Sequence, residues 1–89
     1  MNKYIVEFLG TMFLMFVIFV TGNWIAIGAA LAIAVYVGGA ISGGAFNPAV
    51  AIALYAAGKL SKSDLIPYII VQILGALAAF YLYKQFIKA

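Results

Sequence analysis

The chain has 89 residues, 69% of them hydrophobic and 8% charged, with a net charge of +3. Soluble domains run nearer ~45–50% apolar and ~25% charged, so this composition describes a one-domain protein integral to a membrane, too short to hold a soluble module beside a membrane bundle. Cys and His are absent, and Glu7 and Asp64 are the only carboxylate side chains, so disulfides, thiol chemistry and the usual transition-metal ligands are excluded; neither a cofactor nor an enzyme is expected. Every cationic side chain is a lysine near a predicted span end, a pattern that suits lipid head groups and gives no nucleic-acid patch.

The first apolar run extends from Tyr4 to Thr21. Met-Asn-Lys ahead of it gives the outline of a signal peptide, but the run exceeds the ~7–15 residues of an h-region and no polar mature domain follows. It is expected to span the membrane. Gly22-Asn23 then predicts a tight reversal into a second span, Trp24 to about Ile41, antiparallel to the first.

Behind the small-residue run Ile41-Ser42-Gly43-Gly44-Ala45-Phe46 comes Asn47-Pro48-Ala49, which reads as a helix start placed inside the membrane. Asn is a strong N-cap, and Pro fits at the first helical position, where its missing N–H is not needed. Only about a dozen apolar residues follow before Gly58-Lys59, against the ~20 that a crossing needs, so residues 47–57 form a half-helix. Its positive N-terminal end would point at the bilayer interior, where irregular backbone is tolerated only if it lines a cavity or is buried in protein.

Gly58-Lys59-Leu60-Ser61-Lys62-Ser63-Asp64 is the one clearly aqueous stretch. Gly58 is expected to end the half-helix in the left-handed conformation, Ser63 to cap the next helix, and Asp64 to meet its positive end. The third span runs from Leu65 to about Tyr83, with Pro67 in its first turn, where it does little harm. Tyr4, Trp24, Tyr68, Tyr81 and Tyr83 fall near span ends and are read as interfacial anchors. Glycines 10, 28, 38, 39 and 75 fall inside spans, where small residues let helices approach closely.

Three spans put the two ends of the chain on opposite sides, with Lys3, Lys59 and Lys62 on one and Lys84 and Lys88 on the other. So slight an imbalance is a weak orientation signal, compatible with insertion both ways up.

These segments resemble the aquaporins and glycerol facilitators, the major intrinsic proteins, over nearly the whole of residues 1–89. Glu7-Phe8-Leu9-Gly10-Thr11 is similar to the opening of their first helix, Ser42 to Val50 to their first-repeat loop and signature, and Tyr68 to Ala76 to their third helix. The family's proteins are two inverted repeats in one chain, whereas the residues here match one. The resemblance therefore implies an all-α half-repeat whose pore is completed by an antiparallel second copy, with four pores built from eight chains if the family's tetramer is kept. It also implies a passive channel for water and small neutral solutes such as glycerol.

The resemblance further implies roles. Asn47, in the signature Asn47-Pro48-Ala49, would offer its side-chain amide to the permeating molecule, and Gly43, Gly44 and Ala45 would offer backbone carbonyls. Glu7 and Gln72 would brace the re-entrant loop. The positions matching the family's narrowest zone are Ile27, Val35, Gly44 and Val50, none charged and none aromatic, and the chain contains no Arg. A ring wide enough to pass polyols is the expectation.

Two other readings use the same residues. A proton-coupled dual-topology small transporter would use Glu7, a lone acid in a first span, although Glu7 lies near the span's end and the half-helix has no place in a simple four-span exporter. An inactive half, or one that needs a different partner chain, is the third.

Overall fold

The computed structural model describes residues 1–87, which form α1 (Lys3–Thr21), α2 (Trp24–Ser42), α3 (Pro48–Ala56) and α4 (Lys62–Ile87). Lys88, placed above on the side of Lys84, lies outside the described residues. Helices α1, α2 and α4 are each long and apolar enough to cross a membrane. The nine residues of α3 are not; they rise only ~13 Å, less than half of a ~30 Å hydrocarbon core. The fold is that of an all-α membrane protein.

Local chemistry starts and stops these helices. Asn2 Oδ1 accepts from the Tyr4 and Ile5 amides at 2.8 and 3.0 Å, and Asn23 Oδ1 accepts from Ile25 and Ala26, both at 3.0 Å. Gly22, left-handed at φ 52, closes α1 and leaves Asn23 as the whole of the cap that follows, which makes the two-residue reversal. At the end of α3, Lys59 N–H reaches back to Leu54 O at 2.8 Å and Gly58 N–H to Tyr55 O at 3.0 Å, with Gly58 at φ 77. This paired return is a Schellman closure.

The aqueous connection departs from expectation in three ways. Helix α4 begins at Lys62 and runs to Ile87, beyond the expected 65–83 at both ends. Hydropathy marks where a helix leaves the apolar layer, whereas caps and breakers mark where it ends, and none interrupts Lys84 to Ile87. The capping side chain is Ser61, whose Oγ accepts from Asp64 N at 3.2 Å, and not Ser63. Pro67 consequently stands in the second turn, where its ring withdraws the donor that Ser63 O would otherwise receive. That carbonyl belongs to the aqueous end of the helix.

Helix α1 is the centre of the bundle, packed on α2 along one side and on α4 along the other, while α3 packs on α4. Tyr4 meets Tyr68 edge to face at 6.0 Å, Glu7 meets Gln72 and Phe19 stacks on Tyr83 at 5.1 Å, so α1 and α4 run parallel. Lys3 Nζ and Tyr4 OH both donate to Asp64, each at 2.6 Å, and clamp the two helix starts. Tyr68, read as an interfacial anchor, is instead core, 2% exposed, and Tyr4 is half-buried in this clamp. Trp24 and Tyr81 are exposed, as interfacial residues are.

In a bilayer, lipid tails are as apolar as leucine, so helices associate through close packing more than through the hydrophobic effect. At Gly75 the backbone of α4 comes up against that of α1: an added Cβ would lie 2.5 Å from Phe8 O and 3.3 Å from Met12 N. A Cβ at Gly38 would lie 2.7 Å from Val6 Cγ1. Gly28, expected to serve packing, has nothing within 4 Å of a built Cβ in this chain. Gly75→Val must therefore push α1 and α4 apart and cost about 3 kcal/mol, whereas Gly28→Ala should leave stability unchanged or slightly raised. Reversible unfolding of the two variants in mixed micelles, followed by helical circular dichroism, checks the contrast.

Candidate functional site

Between α2 and α3 the backbone turns through Gly43 (φ 89), Gly44 (φ 68) and Phe46 (φ 52), three left-handed residues in four positions. A segment turned this way forms no regular backbone ladder, so its amides need side-chain partners, and they find them on α1. Glu7, with no exposed surface, accepts Ala45 N–H on Oε2 at 3.1 Å and Phe46 N–H on Oε1 at 2.7 Å. Ser42 Oγ donates to Glu7 Oε2 at 2.7 Å and accepts Gly44 N–H at 3.2 Å. Gln72 Nε2, also fully buried, donates to Glu7 Oε1 at 2.9 Å. Each carboxylate oxygen thus accepts two hydrogen bonds, the satisfaction that an acid inside a membrane requires. Gln72 touches the loop through Glu7. Its Oε1, like Thr11 Oγ1, has no hydrogen-bond partner among the described residues.

The direction of the carbonyls follows from these amides. In a planar trans peptide the C=O of one residue and the N–H of the next point in opposite directions. The N–H groups of Gly44, Ala45 and Phe46 all turn toward Ser42 and Glu7, so the carbonyls of Gly43, Gly44 and Ala45 turn away from them. Among the described residues, no hydrogen bond is made to any of these three carbonyls.

Asn47 is exposed and extended, and its Oδ1 accepts Ala49 N–H at 2.8 Å as the N-cap of α3, with Pro48 at the first helical position. The capping bond uses the carbonyl oxygen and leaves the two donors of the amide nitrogen free of any intrachain acceptor among the described residues. Phe46, just before it, contacts Gly10, which stands seven residues beyond Lys3. That is ~10 Å along α1, which brings the tip of the loop toward the middle of a ~30 Å core.

Of the four narrow-zone positions, one chain brings only two together: a Cβ at Gly44 would sit 3.4 Å from Val35 Cγ2. Ile27 lies eight residues before Val35 on α2, ~12 Å away along the axis. Val50 is exposed on the first turn of α3. Three contributors were missed in the sequence. Ser42 relays an amide to Glu7, the Tyr68 hydroxyl donates to Ser42 O at 2.6 Å and ties α4 to the end of α2, and Phe46 adopts the left-handed conformation. Ser42 and Phe46 were visible as parts of the small-residue run, but nothing in their spacing announced these contacts.

The family model for major intrinsic proteins matches residues 20–89. The chain is similar to the glycerol uptake facilitator protein-like 6 of Lactiplantibacillus plantarum, 43% identical, with 100% of this chain and 45% of that protein aligned. It is 40% identical to aquaporin Z of Brucella melitensis biotype 1, over 89% of this chain and 41% of that protein. With aquaporin AqpM of Methanothermobacter thermautotrophicus the identity is 38%, over 72% of this chain and 28% of that protein. The chain spans less than half the length of these relatives. No solved structure matches it closely enough to join this comparison. The family's members are channels and not enzymes, and this chain, with its three membrane-spanning helices, belongs to the major intrinsic protein family.

Proposed function

We propose that the chain forms one half of a passive transmembrane pore for water and small neutral solutes such as glycerol, completed by a second copy in the opposite orientation. The observation that carries this reading is the sorting of the re-entrant segment. Its amides turn inward to Ser42 and Glu7, and the carbonyls of Gly43, Gly44 and Ala45 turn outward beside the free amide donors of Asn47. A solute leaving water for an apolar layer needs replacements for its lost hydrogen bonds, and a short row of acceptors ending in a donor supplies them to water and to hydroxyls alike. In this reading Asn47, Pro48 and Ala49 form the centre of the pore, and Glu7 and Gln72 brace the loop. Ile27, Val35, Gly44 and Val50 line the mouths, with Ile27 of one copy facing the other three of its partner. The names of the relatives, a glycerol uptake facilitator-like protein and two aquaporins, agree with this solute class. By analogy with the family, four such pores would use eight chains.

The four acceptor contacts of Glu7 and its lack of exposed surface favour bracing over proton relay. Passive flux that ignores an imposed proton gradient, measured in liposomes for water and glycerol beside a pH-sensitive dye, tests the channel against the exporter.

Three outcomes are expected. Each end of the chain, when tagged, should be accessible from both faces of the membrane; a single fixed orientation would mean that a different chain completes the pore. Asn47→Asp should admit cations or prevent assembly, because it sets carboxylates where two half-helix N-termini otherwise hold a positive potential. Current recordings on planar bilayers read the first effect, and cross-linking reads the second. Val50→Arg should narrow both mouths and lower glycerol flux by about tenfold while lowering water flux less, since a polyol carries a wider carbon backbone through the ring. Stopped-flow swelling with each solute checks the difference.

A further inference from the structure

Among the described residues, Phe46 is the one residue with a side chain that adopts a left-handed conformation; the others are glycines. Outside a constraining environment an L-residue populates this region roughly tenfold less than its right-handed counterpart, and a bulky one less still. Something holds it there. The amide bond to Glu7 Oε1 is one restraint, yet Ala45 makes the same kind of bond to the same carboxylate with only a methyl side chain. The bond alone gives no reason for a phenyl ring.

The ring has its own seat. Phe46 is 2% exposed and clusters with Val6 of α1 and Ala34 of α2. A Cβ on Gly10 of α1 would run into the ring edge at Cε1 and Cδ1, and a Cβ on Gly38 of α2 would come within 3.4 Å of Cζ. The ring therefore fills a two-glycine socket at the seam of the first helix pair, at one side of an apolar groove of about 440 Å³. The next residue is Asn47, and the preceding carbonyl is the last of the three that turn outward. A rotation at residue 46 swings both.

We infer that Phe46 is a positioning residue: its ring, keyed between Gly10 and Gly38, holds residue 46 left-handed and so sets the depth and direction of the Asn47 amide and of the Gly43 to Ala45 carbonyls. The inference rests on the pore reading for its functional consequence but not for its structural one.

The test compares Phe46→Ala, Phe46→Gly, Gly10→Ala and the double variant Gly10→Ala/Phe46→Ala in proteoliposomes, with flux normalised to folded protein. Glycine enters the left-handed region freely, so Phe46→Gly separates backbone conformation from the ring's seat. With the ring as the key, Phe46→Gly and Phe46→Ala should both lower water flux per folded chain by about tenfold and shift the glycerol-to-water ratio by about threefold. A merely structural defect changes the number of folded chains and leaves that ratio alone. Gly10→Ala should reproduce the loss by displacing the ring, and the double variant should be no worse than Phe46→Ala, because the new methyl then has room. Phe46→Leu carries the same comparison if Phe46→Ala does not insert.

A Phe46→Gly variant with parental flux and ratio would overturn the inference, as would strictly additive effects in the double variant. If the parent passes neither solute, the pore reading fails and amide exchange decides alone: protection of the Ala45 and Phe46 N–H groups should fall about tenfold or more in Phe46→Gly. Unchanged protection would overturn the positioning role.

Discussion

Glu7 is the constraint from which the rest of the site follows. A carboxylate within a membrane span cannot be left to lipid, and its position one turn into α1 obliges the chain to bring donors to it. The donors come from three separate elements: the end of α2 through Ser42, the re-entrant loop through Ala45 and Phe46, and α4 through Gln72. One acid thereby fixes where the bundle's parts meet, and the reciprocal also holds. The loop's amides, irregular and inside the membrane, have in Glu7 the acceptor that water would otherwise be.

The packing around this centre uses size more than apolarity. Gly75 lets α4 approach α1 to backbone contact, Gly38 lets Val6 in, and Gly10 admits the ring of Phe46. Larger residues at these points would move Gln72 and Ser42 away from the carboxylate by the same displacement. Tight helix contact and hydrogen-bond satisfaction are therefore one condition here. The Lys3–Asp64–Tyr4 clamp, by contrast, lies at the aqueous margin, where an ion pair with partly exposed partners contributes little and serves chiefly to register the two helix starts.

Much of this was legible in the residues. Hydropathy located all three spans, Gly22-Asn23 gave the reversal, and Asn47-Pro48 gave the start of a helix too short to cross. Those signals are local, since a cap or a breaker acts within one turn. The failures share a different cause. Ser61 rather than Ser63 caps α4 because two candidates stand two residues apart and only the fold selects between them. Tyr68 resembled an interfacial tyrosine by its distance from the span end, yet Ala45 of the loop and Ala51 of α3 bury it, and its hydroxyl donates to Ser42 O. Gly28 and Gly75 look alike in sequence, and only the neighbour across the contact distinguishes them. The left-handed Phe46 is the clearest case, because a conformation stabilised by tertiary contacts leaves no propensity signal.

The proposed pore, made from two copies of one chain, would also constrain what the sequence can contain. Every residue of one mouth recurs at the other, so a fixed cation beside the half-helix at Val50 would be placed at both ends of the file, and the mouths could not differ. A lone positive group of that kind is an electrostatic barrier in one place; duplicated, it is two barriers in series for any cation and two constrictions for any polyol. The chain instead carries small or aliphatic residues at Ile27, Val35, Gly44 and Val50 and no Arg anywhere. In the proposed pore, charge selection would then fall to the features that symmetry strengthens rather than merely repeats: two helix N-termini and two Asn47 amides brought to one point, where their potentials would add.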